Sequence, residues 1–190
     1  MSGLIKQIAR LLFRDYSIYR IYGYTGSGTV STSDVGTPAR KFRFEVVMEG
    51  EIRHSSDELI AQQAWYHGQG AYAYACFQDS RIVGLCFFWH GDRYAERNFW
   101  PLSGGEAKLV QLIVLPELRG CGIGRDLVKF AANDMFRQGY KHLYSRIWWS
   151  NIPSLRVFEH AGWQPVATVI ELCIRGRHQP FKFHLMKRSS

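Results

Sequence analysis

Apolar positions change period several times along the chain, and each change marks an element. Leu4, Ile5, Ile8, Leu11 and Leu12 recur at helical spacing with Lys6, Arg10 and Arg14 between them, which predicts a basic amphipathic helix. Residues 17–24 are aromatic and β-branched and read as a strand or extended arm, and 25–40, rich in Gly, Ser and Thr, as a loop. Residues 42–49 alternate as a strand does, and Ser55 or Ser56 is placed to cap a helix through Leu59, Ala64 and Trp65. Residues 71–78 and 81–90 predict a hairpin turning at Asp79-Ser80. A loop with Gly91, Pro101, Gly104 and Gly105 leads into a strand over 107–115. A helix over 123–138 carries Leu127, Val128, Ala131 and Met135 on one face and stops before Gly139. A strand over 142–149, a short helix over 153–161 and two strands over 163–174 and 180–187 complete the order.

Composition bounds this picture. The chain has 190 residues, 46% of them hydrophobic and 15% aromatic, which suits one domain with a sizeable core and argues against disorder. No apolar run reaches the roughly eighteen residues that cross a bilayer. Lys6, Arg10 and Arg14 interrupt the apolar core that a secretory leader needs. Cys76, Cys86, Cys121 and Cys173 show no C-x-x-C spacing, so neither a metal nor a disulfide is expected, and reduced thiols in a cytoplasmic protein are the simpler account. The net charge of +8 sits in the ends: residues 1–43 hold seven Lys/Arg against two Asp/Glu, and 172–190 hold five against none. Basic ends suit a solvated face, an anionic substrate or a membrane surface. No nucleic-acid motif accompanies them, so no nucleic-acid partner is expected.

The chemistry concentrates in Leu112-Ile-Val-Leu-Pro-Glu-Leu-Arg-Gly-Cys-Gly-Ile-Gly-Arg125. An apolar β-rich run ends at Pro116, and a glycine-rich bend opens into a helix. Such a bend presents unpaired N–H groups at the positive end of the helix dipole, a seat for phosphate. Gly120, Gly122 and Gly124 let the backbone approach a ligand closely, and some are expected at positive φ. A P-loop would need a lysine after the last glycine. A dinucleotide fingerprint would need G-x-G-x-x-G and an acid about twenty residues on, and 141–149 contains none.

Arg119-Gly-Cys-Gly-Ile-Gly124 instead resembles the R/Q-x-x-G-x-G/A motif of the GNAT superfamily, the acetyl-CoA-dependent N-acyltransferases. Asn151-Ile-Pro-Ser-Leu-Arg-Val-Phe-Glu-His-Ala-Gly-Trp163 is similar to the family's second signature, 27 positions downstream counting from Gly124. The resemblance implies an α+β, three-layer fold: a mixed central sheet with a splayed strand pair, flanked by helices. The domain is then expected over 42–190, with 1–41 as an added helix and arm that packs on the domain or touches a membrane surface.

The same resemblance implies site roles. Backbone groups near Ile113 and Val114 would bond the pantetheine arm of acetyl-CoA and polarise its thioester. The amides of Gly120, Cys121, Gly122, Ile123 and Gly124 would cradle the pyrophosphate, with Arg119 and Arg125 as supporting charges. Asn151, with Ser154 and Phe158 on the same stretch, would line the arm. The family transfers acyl groups directly to an amine, so Cys121 is read as a loop residue and not a nucleophile. An alkyl amine at pH 7.4 is about 0.1% neutral, so a base is needed. Glu106 is the first candidate, with His90, Asp92 and Glu171 behind it. The position that commonly supplies a Tyr to the leaving thiolate is Phe158 here, so Tyr144, Ser154 or water must substitute.

The expected activity is transfer of an acetyl group to a primary amine of a small molecule, an amino sugar or envelope-polysaccharide precursor among the options. A protein or peptide acceptor, or acyl-CoA binding without turnover, are the alternatives. A homodimer and peripheral contact with the inner face of a membrane are compatible with the chain.

Overall fold

The computed structural model describes residues 13–26, 42–96, 99–174 and 181–186. The amphipathic helix expected before residue 13 and the loop expected over 27–41 lie outside them. The strands are β1 (Phe13–Tyr24), β2 (Arg43–Val46), β3 (Ala71–Gln78), β4 (Arg81–Trp89), β5 (Glu106–Val114), β6 (His142–Trp148), β7 (Gln164–Ile174) and β8 (Phe181–Met186). The helices are α1 (Glu49–Arg53), α2 (Glu58–Ala61), α3 (Gly91–Ala95), α4 (Ile123–Arg137) and α5 (Ile152–His160). Short 3-10 turns at Gln62–Tyr66 and Pro116–Leu118 extend α2 and lead into the glycine loop.

All eight strands form one sheet in the order β2-β3-β4-β5-β6-β1-β7-β8. Every neighbouring pair is antiparallel except β5–β6. The strand expected over 17–24 begins at Phe13 and runs between β6 and β7, so the sheet draws on residues ahead of 42. Tyr19, Ile21 and Tyr22 are all buried although they face both sides, as a central strand requires. The β4 run Ile-Val-Gly-Leu-Cys-Phe-Phe-Trp is buried from Ile82 to Trp89 for the same reason.

Three local readings differ from the sequence expectation, the first being the loop expected from Gly91, which opens with helix α3. The strand expected over 42–49 is cut to Arg43–Val46, because Glu51 accepts the Met48 N–H at 2.8 Å and starts α1. The cap of α2 is Asp57, whose carboxylate accepts the Leu59 N–H at 3.0 Å, and not Ser55 or Ser56. The hairpin turns at Asp79-Ser80, with Asp79 at φ +55°.

Helix α4 buries Leu127, Val128, Ala131 and Met135, the predicted face, together with Leu143, Ile147, Leu155 and Phe158 in the main core. The other face of the sheet carries a smaller cluster of Tyr19, Ile21, Ala167 and Val169, packed with Phe99, Trp100 and Tyr144. Among the described residues no helix is long and apolar enough to cross a membrane.

Candidate active site

The parallel ladder between β5 and β6 runs from Glu106↔His142 to Leu109↔Ser145 and goes no further. The cause lies in β5. Phe88 pairs with Leu109 and Phe87 with Gln111, so Val110 is an extra, bulged residue that bends the strand. Beyond it β5 follows β4 as far as Gly84↔Val114, while β6 follows β1 as far as Trp148↔Tyr19. The strands part into a slot of about 140 Å³ whose walls include Val110, Leu112, Arg146, Asn151, Ser154 and Phe158.

The opened edge of β5 can be read from one bond. Leu115 N–H donates to Val83 O at 3.0 Å, so alternation turns the backbone groups of Ile113 toward β4 as well. Those of Leu112 and Val114 face the slot. Of the expected pair, Val114 therefore stands on the free edge, while Ile113 keeps its N–H and C=O in the sheet. Leu112 takes the place that the sequence reading gave to Ile113. Gly84 allows the strands to lie this close, since a Cβ there would stand 3.3 Å from Ile113 O.

The slot leads to the glycine loop. Gly120 has φ +84° and Gly122, the N-cap of α4, φ +81°, so both need glycine. Gly124 is helical and buried, and its hydrogen in place of a side chain lets α4 pack on Val157 and Val114. The Asp126 N–H bonds back to Gly122 O at 3.1 Å. The amides of Ile123, Gly124 and Arg125, ahead of it, have no helical carbonyl to reach and project from the start of a 15-residue helix. Arg119 is exposed and its Nε donates to Val114 O at 3.2 Å, which ties the loop to the strand. Arg125 is engaged with Asp126 at 2.8 Å, so its charge is partly matched within the helix. Cys121 is exposed on the loop, whereas burial raises the thiols of Cys76, to about 12, and Cys86.

Helix α5 closes the far wall. Asn151 is its N-cap, with Oδ1 accepting the Ser154 N–H at 3.3 Å, and this holds both residues at the slot. The Phe158 ring is buried, edge-on to Trp163 with centroids 5.0 Å apart.

Glu106 and Tyr144 are brought together. Tyr144 donates to Glu106 Oε1 at 3.3 Å, the Ser103 N–H to Oε2 at 2.7 Å, and His142 Nδ1 stands 3.4 Å from Oε1. Burial and the neighbouring Glu106 carboxylate raise the Tyr144 hydroxyl. Glu106 lies three residues before the last paired position, about 10 Å along the strand, and also lines a separate 630 Å³ cleft with Tyr72, His90 and Tyr140. His90 is in that cleft, its imidazole lowered by burial, and Asp92 lies beyond it. Glu171 is engaged by Lys182, Tyr19 and Ser17, which together outweigh burial and lower its carboxyl.

Lys108 was missed by the sequence reading. It is wholly buried, its Nζ donating to Tyr94 Oη and Trp100 O and lying 4.1 Å from the Tyr94 and Phe99 ring centroids. Burial, then the Arg146 charge, pull its amine down to about 6. A lysine inside an apolar strand was the available signal.

Comparison with known proteins agrees with this geometry. A model of the acetyltransferase (GNAT) family matches residues 40–163. No curated protein sequence matches the chain. A GNAT-family acetyltransferase from Colwellia psychrerythraea superposes with a TM-score of 0.60 at 11% identity, over 91% of this chain and 62% of that one. A tandem GNAT protein from the clavulanic acid biosynthesis pathway gives 0.59 at 14% identity, over 94% and 60%. A GNAT-family protein from Novosphingobium aromaticivorans gives 0.59 at 14%, over 93% and 67%. The chain thus spans about three fifths of the length of the first two, and identities this low bear on the fold alone. The family match covers most of the sheet, the splayed strands and the glycine loop, and by it the chain belongs to the GNAT acetyltransferase family.

Proposed function

We propose that this chain transfers an acetyl group from acetyl-CoA to a primary amine of a small molecule by direct attack. The observation that carries the reading is the ladder that stops at Leu109↔Ser145, leaving an open β5 edge that runs straight to the N-terminus of α4. An extended pantetheine arm fits such an edge as an added strand would, with Leu112 and Val114 offering backbone partners. The loop amides from Gly120 to Gly124 and Arg119 hold the pyrophosphate, and Asn151 and Ser154 flank the arm. Acetyl-CoA supplies the activated carbonyl.

The amine must lose a proton as its C–N bond forms and the C–S bond breaks. Glu106 is the acceptor of that proton, reached through the Tyr144 hydroxyl or water, because the carboxylate itself lies about 10 Å short of the slot. Phe158 has no proton for the leaving thiolate, so Tyr144, Ser154 or water provides it. That departure also favours the second reading, a protein that binds acyl-CoA without turning it over.

Calorimetric titration of the purified chain with acetyl-CoA, with NADH and ATP as controls, tests the site. Saturable binding of acetyl-CoA alone, followed by release of free thiol with some member of an amine panel, supports the transferase. Binding without release across small amines and peptides favours the binder, and no binding to folded protein overturns both.

A further inference from the structure

Residues paired across a ladder point to the same face, so Lys108, Tyr144 and Arg146 share one side of the sheet with Tyr19, opposite α4 and α5. Arg146 follows directly on Ser145, the last residue of β6 paired with β5, and is one of the residues that line the slot where the two strands part. It is half-buried, with its guanidinium carbon 4.7 Å from the Phe99 ring centroid and 5.0 Å from that of Tyr19. Among the described residues no carboxylate forms an ion pair with it. The acids of this face are committed elsewhere: Glu106 to Ser103, Tyr144 and His142, and Glu171 to Lys182, Tyr19 and Ser17.

The Arg146 charge reaches both of its neighbours on this face: added to burial, it pushes the Lys108 amine toward its neutral form, with Glu106 acting the other way, and it works to lower the Tyr19 hydroxyl that donates to Glu171. A partly desolvated guanidinium held over aromatic rings, without a counter-ion, is a costly arrangement unless a ligand completes it. Its planar fork matches a carboxylate with two parallel hydrogen bonds.

We propose that Arg146 binds a carboxylate carried by a reactant beside the carbonyl to be attacked, which makes the acceptor an amino carboxylate. The proposal rests on the slot being the acyl-CoA site. Arg146 faces the side away from α4 and α5, where Glu106 and Tyr144 also stand, and this favours the acceptor as the source of the carboxylate. The same chemistry on the acyl chain, as in a dicarboxylic acyl-CoA, would meet the same guanidinium.

The test uses ratios measured within each protein, so that any general loss of activity cancels. For wild type, R146K and R146M, kcat/KM is measured by thiol release with acetyl-CoA and a panel of amino acids against the matching amino-acid amides. A second arm compares binding of succinyl-CoA with that of butyryl-CoA. A wild-type preference of at least tenfold for the acids, abolished in R146M and partly kept in R146K, supports the acceptor assignment. A tenfold preference for succinyl-CoA that depends on Arg146 in the same way places the carboxylate on the acyl chain. Acetyl-CoA binding with no carboxylate preference in either arm, or a preference that survives R146M, overturns the proposal while leaving the transferase reading intact. Failure of wild type to bind acetyl-CoA removes both.

Discussion

Replacing Lys108 with Met should change how stability depends on pH. The amine stands at about 6 in the folded chain, against an unfolded value of about 10.4. Because the folded value is the lower one, unfolding takes up a proton everywhere between them. Stability therefore rises with pH through that window, and the cost of burying Lys108 is felt in full below pH 6. From pH 6.5 to 9.5 the three units correspond to about 4 kcal/mol. The Tyr94 and Phe99 rings, each 4.1 Å away, favour the ammonium and hold back about 2 kcal/mol of this. Lys108 thus contributes a rise of about 2–4 kcal/mol over the interval. Met has nearly the same volume and leaves no orphan. Trp100 O still receives the Tyr94 hydroxyl at 3.0 Å, and Tyr94 Oη still accepts the Phe99 and Trp100 N–H groups at 2.8 and 2.9 Å. The assay is urea unfolding of wild type and K108M at both pH values. With a slope of about 2 kcal/mol/M, the wild-type midpoint should gain about 1–2 M more than that of K108M. Midpoints that move in parallel in the two proteins would refute the argument.

Three further outcomes test the site. G122V places a β-branched residue at φ +81°, so acetyl-CoA affinity should fall at least a hundredfold in calorimetry, while the fold keeps its far-UV dichroism because a Cβ there meets only the surface side chains of Arg125 and Asp126. E106Q should lower kcat about a hundredfold or more, with partial recovery as pH rises and free amine accumulates; Y144F should reproduce part of the loss if the hydroxyl links the amine to Glu106. N151A removes the cap of α5 and a wall of the slot together, costing about 1 kcal/mol in urea unfolding and raising the acetyl-CoA Kd, whereas N151D should restore the cap and much of the stability.

The parts of the fold that were legible in the sequence are those with a local cause. Leu127, Val128, Ala131 and Met135 mark α4 by their spacing alone, and Asp79-Ser80 marks the turn between two apolar runs. The glycine loop was legible because positive φ and close packing both demand glycine, although only the coordinates separate Gly120 and Gly122, which need φ, from Gly124, which needs space. The bulge at Val110 was not legible. Lys108 to Leu112 reads as an ordinary strand, and the extra residue is visible only in its register with β4. The exchange of Ile113 for Leu112 on the free edge follows from that register. The place of β1 was hidden for a similar reason, since its partners at 143–148 and 164–174 lie more than a hundred residues away. Lys108 and Arg146 were overlooked as polar members of apolar strands, although a charge in such a run is itself a sign of a cation in need of partners.

The position of β1 also explains how the slot stays open. A strand that loses its neighbour on one edge frays unless the other edge is held, and here both arms of the opening are held from outside. β5 is paired with β4 past the bulge to Gly84↔Val114, and β6 is paired with β1 over its whole outer length to Trp148↔Tyr19. With those ladders complete, β5 and β6 need no bond to each other beyond Leu109↔Ser145, and the backbone groups left on the β5 edge, apart from Val114 O, which accepts from Arg119 Nε, are available to a ligand. Tyr19 joins the two roles, since the strand that holds β6 in place also supplies a ring beneath the Arg146 guanidinium. β1 is in this sense part of what holds the slot open: without it the outer end of β6, from Arg146 to Trp148, would have no paired strand on either side.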